Sequence, residues 1–171
     1  NQTKIILDAD VIIHFSKGLR LNQLPLILPD YRFFVLDIVY DELNNNYRNE
    51  LDNNILFFKK IEIIKFNPIG IQQKEYAELL FKNFGRGESA SMIYCKYNQD
   101  IIASSNLKDI KNFCTQNGIK FITTIDLLFY GIKNNIFTID DANTFIIEVV
   151  KKGSKLPIDL DLTRYSPICQ L

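Results

Sequence analysis

Tryptophan is missing from the 171 residues, and methionine and histidine occur once each. One histidine excludes any metal site built from several imidazoles and leaves His14 as the only base a Ser–His–Asp triad would have. It lies in an apolar helical stretch, where a packed histidine is the ordinary reading. The three cysteines, Cys95, Cys114 and Cys169, are odd in number and far apart, with no C-x-x-C, so neither a disulfide frame nor a zinc site is implied. Glycine (7) and proline (5) are scarce beside 47% hydrophobic residues, which excludes collagen-like and disordered chains. Net charge is also lacking, because 20 Lys+Arg balance 20 Asp+Glu. The chain is therefore no histone-like wrapper of nucleic acid, and contact with RNA or DNA has to rest on a local patch. Long apolar runs are broken by Asp, as in IILDADVII and FFVLDIV, so no membrane span is read. No basic-then-apolar leader is found, and a cytoplasmic location is the expectation.

A chain of this length argues for one domain. Lys4 to Leu7 reads as a buried strand ending at Asp8, followed by a helix from Ala9 to Lys17 that Gly18 closes. Leu21 to Leu28 is a second apolar helical stretch, stopped by Pro29. Arg32 to Leu36 is a strand, and Asp37 is placed to cap a helix from Ile38 to about Asn44. Asn44 to Asn54 is polar and stays open between helix and loop. Ile61 to Phe66 suits an edge strand, and Ile71 to Phe84 and Gly87 to Tyr97 suit helices. Asp100 to Ala103 and Phe121 to Thr123 are short strands around a helix from Leu107 to Gln116. Asp126 to Lys133 and Asp141 to Lys152 close the domain as helices. Strands alternating with helices predict a three-layer α/β/α fold with a central parallel sheet of four to five strands. The domain is expected over residues 1–153, with 154–171 a C-terminal extension.

In such sheets ligands sit beyond the carboxyl ends of the strands. The residues there are mostly acids and hydroxyls: Asp8, Asp10, Asp37, Ser104, Ser105, Asn106, Thr124 and Asp126. Glu42 lies one turn into the helix after the second strand, and Glu88 opens the helix after Gly87. Carboxylates gathered at one strand end repel each other unless a cation neutralises them, and Mg²⁺ or Mn²⁺ suits such donors. Taken singly, Asp8 and Asp37 are read as helix caps, and Glu42 and Glu88 as solvated first-turn acids. Taken as a set behind strand ends, they read as a site. The segment GRGESAS (Gly85 to Ser91) is no P-loop, because the lysine that pattern needs is absent.

Four segments in order, IILDADVIIHF, FFVLDIVYDEL, GRGESASMIYCKYNQDIIASSN and IKFITTIDLLFYGIKNNIFT, resemble the PIN domain, a family of metal-dependent ribonucleases. The resemblance spans most of residues 4–150. It implies metal-binding, catalytic acids at Asp8, Glu42 and Glu88. The family's next acid falls here on Asn106, a neutral amide that offers a metal only its carbonyl oxygen. Three readings of that departure stand open: Asp109 substitutes, Asp10 supplies the charge, or the site is weakened. Asp126 is either a further ligand or a helix cap. Ser104, Ser105, Thr124 and Lys108 are candidate substrate contacts beside their ordinary turn and cap roles. Further basic residues stand at Lys111 and Lys120, and at Lys151, Lys152, Lys155 and Arg164 near the C-terminus.

The function so implied is divalent-metal-dependent RNA phosphodiester hydrolysis, toxin-like, with RNA as substrate and an antitoxin-like protein and a homodimer as possible partners. An alternative is a degenerate PIN module that binds RNA or a protein without turnover, which Asn106 favours. A second alternative resembles haloacid-dehalogenase-like phosphatases, with Asp8 as nucleophile and Asp10 as acid/base in Ile5-Ile6-Leu7-Asp8-Ala9-Asp10-Val11. It leaves Glu42 and Glu88 without a role.

Overall fold

The computed structural model describes residues 2–171. Five short strands, β1 (Lys4–Leu7), β2 (Arg32–Leu36), β3 (Ile61–Ile64), β4 (Ile101–Ala103) and β5 (Phe121–Ile122), form one sheet. All neighbours pair in parallel, in the order β3-β2-β1-β4-β5. The central strand is covered on both faces: Ile5, Ile6 and Leu7 are fully buried, as continuous apolar runs in parallel sheets are. The helices are α1 (Ala9–Lys17), α2 (Asp37–Glu42), α3 (Asn45–Asp52), α4 (Ile71–Phe81), α5 (Arg86–Asn98), α6 (Leu107–Asn117), α7 (Thr124–Lys133) and α8 (Ile139–Lys151). One layer packs α1 against α3 and α8, and the other packs α5 against α4 and α6. Among the described residues, no helix is long and apolar enough to cross a membrane.

Several boundaries differ from the sequence reading, each for a local reason. The stretch after Gly18 is only a tight 3₁₀ turn, Leu21–Leu26, because Pro25 inside it has no N–H to give. Asn44 to Asn54 resolves into α3, capped by the Asn44 side chain accepting from Tyr47 N (3.1 Å), and a wider π-type turn at Asn53–Phe57. Asp37 does not cap its helix; it is the first helical residue. Its Oδ1 accepts from Ile38 N (2.8 Å) and Phe66 N (2.9 Å), so it ties the start of α2 to the chain leaving β3. That second bond draws Phe66 out of the strand, which ends at Ile64. The last two helices begin before Asp126 and Asp141. Thr123 and Thr138 are the caps, and each acid answers from three residues on in a reciprocal capping box.

The C-terminal segment lacks regular structure but is bound down. Leu162 is buried, Tyr165 Oη donates to Asp126 Oδ1 (2.7 Å), and Leu171 N donates to Tyr130 Oη (3.1 Å). It therefore runs along α7, beside the β5 edge.

Candidate functional site: a carboxylate cluster at the strand ends

The chain winds outward from β1 to β2 and β3, then returns to lay β4 and β5 on the other flank. The direction reverses between β1 and β4, the place where open α/β sheets leave a crevice. Asp8 follows β1 and Asn106 follows β4, so both face that crevice's rim by topology. Asp8 caps α1, its Oδ1 accepting from Ala9 N (2.9 Å), and its own N–H donates to Ala103 O of β4 (2.9 Å). Asp10, in the first turn of α1, accepts from Ser105 N at Oδ2 (2.8 Å) and from Val11 N at Oδ1 (2.7 Å). Glu88 enters from the first turn of α5 and is buried.

Glu42 arrives differently. It is the last residue of α2, and its Oε1 accepts from Gly87 N (2.9 Å) at the start of α5. A Cβ on residue 87 would lie 2.5 Å from Glu42 Oε2 and 3.0 Å from Val39 Cγ2. Only glycine lets the two helices meet this closely. The same bond satisfies an N–H that the beginning of α5 would otherwise leave open.

The acids feel one another. Burial raises the Asp8 carboxyl above its usual range, with Glu42 adding repulsion. Asp10 is pushed up to about 7 by burial and then by Asp8. Glu88 is pushed up to about 7 by burial, then by Asp8 and Asp109. Asn106 partly quiets the group: its Nδ2 donates to Glu88 Oε1 (2.8 Å) and to Asp109 Oδ2 (2.8 Å), a neutral bridge between two acids.

A hard cation suits this donor set. Glu42 Oε2 and Glu88 Oε2 carry no protein hydrogen bond among the described residues, and the mutual repulsion is what a divalent ion relieves. Among the described residues, no group of three or more acids, histidines or cysteines is arranged to hold a metal ion. The chemistry therefore fits an ion that takes one or two carboxylates and keeps its own waters.

The remaining candidates divide. Asp109 and Lys108 sit in the first turn of α6, Asp109 joined to the cluster through Asn106 and Lys108 exposed. Asp126 stands apart. Its Oδ2 accepts from Thr123 N (2.7 Å) and Thr123 Oγ1 (2.9 Å), and Tyr165 takes Oδ1, so its role is the cap. Ser104 and Thr124 require a correction as substrate contacts, because both are fully buried. Ser104 Oγ accepts from Asn106 N (3.3 Å). Thr124 Oγ1 accepts from Ser105 Oγ (2.9 Å) and lies 2.8 Å from His14 Nδ1. Ser105 acts through its backbone N–H, which holds Asp10. The line from His14 through Thr124 and Ser105 to Asp10 has no sequence signature, since it joins three segments only in the fold.

The model of a PIN-domain family, DUF3368, matches residues 4–160. No curated protein matches the sequence. Among solved structures, the chain is similar to a PilT N-terminus domain protein, SSO1118, from the hyperthermophilic archaeon Sulfolobus solfataricus P2. Identity there is 12%, with 74% of this chain and 91% of that one covered and a TM-score of 0.45. It is also similar to VapBC-1 from nontypeable Haemophilus influenzae, at 18% identity, 71% and 98% coverage and a TM-score of 0.48.

Proposed function

The chain belongs to the PIN-domain family, and on that premise we propose that it is a divalent-metal-dependent endoribonuclease centred on Asp8, Glu42 and Glu88. What supports this reading is the repulsion that Asp8, the cap of α1, exchanges with Glu42 of α2 and with Glu88 of α5, beside the point where the strand order reverses. Asp8 and Glu88, with Glu42 beside them, would hold Mg²⁺ or Mn²⁺, and Asp10 and Asp109 add negative charge around it. Such an ion, when bound, supplies an acidified water and stabilises charge on a phosphoryl group. The protein's own part is positioning. Ala9 N–H aims Asp8, Gly87 N–H aims Glu42, and Ser105 N–H fixes Asp10. Lys108, exposed beside Asp109, is a cation available to a phosphate of the substrate. The dehalogenase-like alternative falls with the family assignment.

The test is cleavage of a single-stranded RNA in Mn²⁺ against EDTA, with wild type and Asp8→Asn. Cleavage only with the ion, and a loss of 100-fold or more in Asp8→Asn, supports the reading. RNA binding without ion-dependent cleavage sinks it and leaves a binding module. Asn106 favours that second reading, because its amide already occupies Glu88 and Asp109 as a cation would.

A further inference from the structure

The C-terminal segment builds something the carboxylate cluster does not account for. Between it, the start of α6 and the start of α7 lies an apolar pocket of about 360 Å³. Its walls are Leu107, Ile125, Leu156, Pro157, Leu160 and Ile168, with the Tyr165 ring beside them. The polar groups at its base are already engaged within the protein. Ser105 Oγ donates to Thr124 Oγ1, and Thr123 Oγ1 donates to Asp126 Oδ2. The pocket thus presents apolar surface inside and, at its rim, the exposed Lys155 and Ser166. Its far wall is held by Tyr165 and Ile168, which both donate to the one buried carboxylate of Asp126 (2.7 and 3.4 Å).

Position decides what such a pocket takes. Ser105 lines it, and the N–H of the same residue holds Asp10 in the acid cluster (2.8 Å). A group seated there lies within a nucleotide's reach of the cluster. We infer that this pocket is a nucleobase subsite for the residue flanking the attacked phosphodiester, with Lys155 meeting its phosphate. The inference rests on the nuclease reading for its role, not for its binding. A flat ring packs against Leu, Pro and Tyr through its face, which every base has, so the subsite accepts bases with little dependence on sequence. The volume admits one base and excludes a duplex, so the substrate is single-stranded at that position. Asp126, which the sequence offers as a metal ligand, instead anchors the pocket's wall.

The test uses the full chain in EDTA, so that no ion contributes, with adenosine 5′-monophosphate as probe and ribose 5-phosphate as control. Methyl resonances of Ile125, Leu160 and Ile168 are followed by NMR. The expected result is displacement by the nucleotide, none by the sugar phosphate, and nucleotide affinity at least 10-fold weaker in Leu160→Trp, which fills the pocket. Should that variant fail to fold, Lys155→Glu at the rim is expected to weaken the nucleotide at least 3-fold. Undisturbed methyls, or equal displacement by both probes, overturn the subsite. Displaced methyls in a protein that never cleaves RNA leave the subsite standing and remove the nuclease. Ion-dependent cleavage with undisturbed methyls does the reverse.

Discussion

Asn106 is the residue on which the chemistry turns, because a neutral amide stands where the family resemblance puts an acid. In the apo protein it is an asset, since two carboxylates receive hydrogen bonds from one nitrogen. Replacing it with Asp removes both bonds and adds a third charge. In EDTA, Asn106→Asp is expected to lose about 2 kcal/mol, or roughly 4–8 °C in melting temperature. Its Mn²⁺ affinity is expected to rise 10-fold or more, read by calorimetry. An unchanged melting temperature in EDTA would show that the amide bridge contributes nothing. His14 is the opposite kind of residue, buried and useful only when neutral. Burial, and then Lys17, hold its imidazole down at about 4. Between pH 6.5 and 4 the unfolded chain therefore binds a proton that the folded one refuses. This group's contribution is full above pH 6.5 and is lost as pH falls toward 4, a span of about 3 kcal/mol. Denaturant titrations should show wild type losing its advantage over His14→Asn across that window. A constant difference between the two would mean that His14 titrates normally in the fold.

Among the elements, the junction of α2 with α5 sets the geometry of the site. The helices approach because residue 87 has no side chain, and the approach lets Glu42 bond to the Gly87 N–H. A methyl there displaces the mobile end of an exposed Glu and asks Val39 to give a few tenths of an ångström. The helix gains about 0.5–1 kcal/mol from Ala over Gly, which offsets that strain. Gly87→Ala is thus expected to change stability by less than about 1 kcal/mol while lowering Mn²⁺ affinity 10-fold or more. Equal loss in both would mean that the helix contact, not Glu42, had been disturbed. The order of these elements was legible because β1, β2 and β4 are apolar runs whose ends are marked by Asp8, Asp37 and Ser104. The T-x-x-D pairs at Thr123 and Thr138 were legible too, as capping boxes, and reading them would have removed Asp126 from the metal candidates. The Phe66–Asp37 bond, the His14–Thr124 contact and the pocket under the C-terminal segment were not. Each depends on residues far apart in the chain, and no local periodicity or spacing encodes them.

For the molecule as a whole, the acid cluster means that part of the folding free energy is set against charge repulsion. Asp10 and Glu88 ionise near pH 7 in the fold and near 4 when unfolded. Across that window the folded chain keeps protons the unfolded chain has released, so stability falls as pH rises. His14 works in the other direction over part of the same range, but it is one group against two, so the apo protein is expected to melt lower at pH 7.5 than at pH 5.5. A divalent ion that binds only the folded state adds stability as RT ln(1 + [L]/Kd), about 2.7 kcal/mol at 100 times Kd. That is roughly 5–11 °C for a chain of this size. Protons compete with the ion for the same oxygens, so the increment must grow with pH. Thermal melts in Mn²⁺ and in EDTA, at pH 5.5 and 7.5, read this directly. A rise confined mostly to pH 7.5 supports an ion on these acids, because Asp10 and Glu88 still hold protons at pH 5.5. An increment equal at both pH values would put the ion elsewhere on the surface, and the cluster would then be a cost of the fold with no ligand to relieve it.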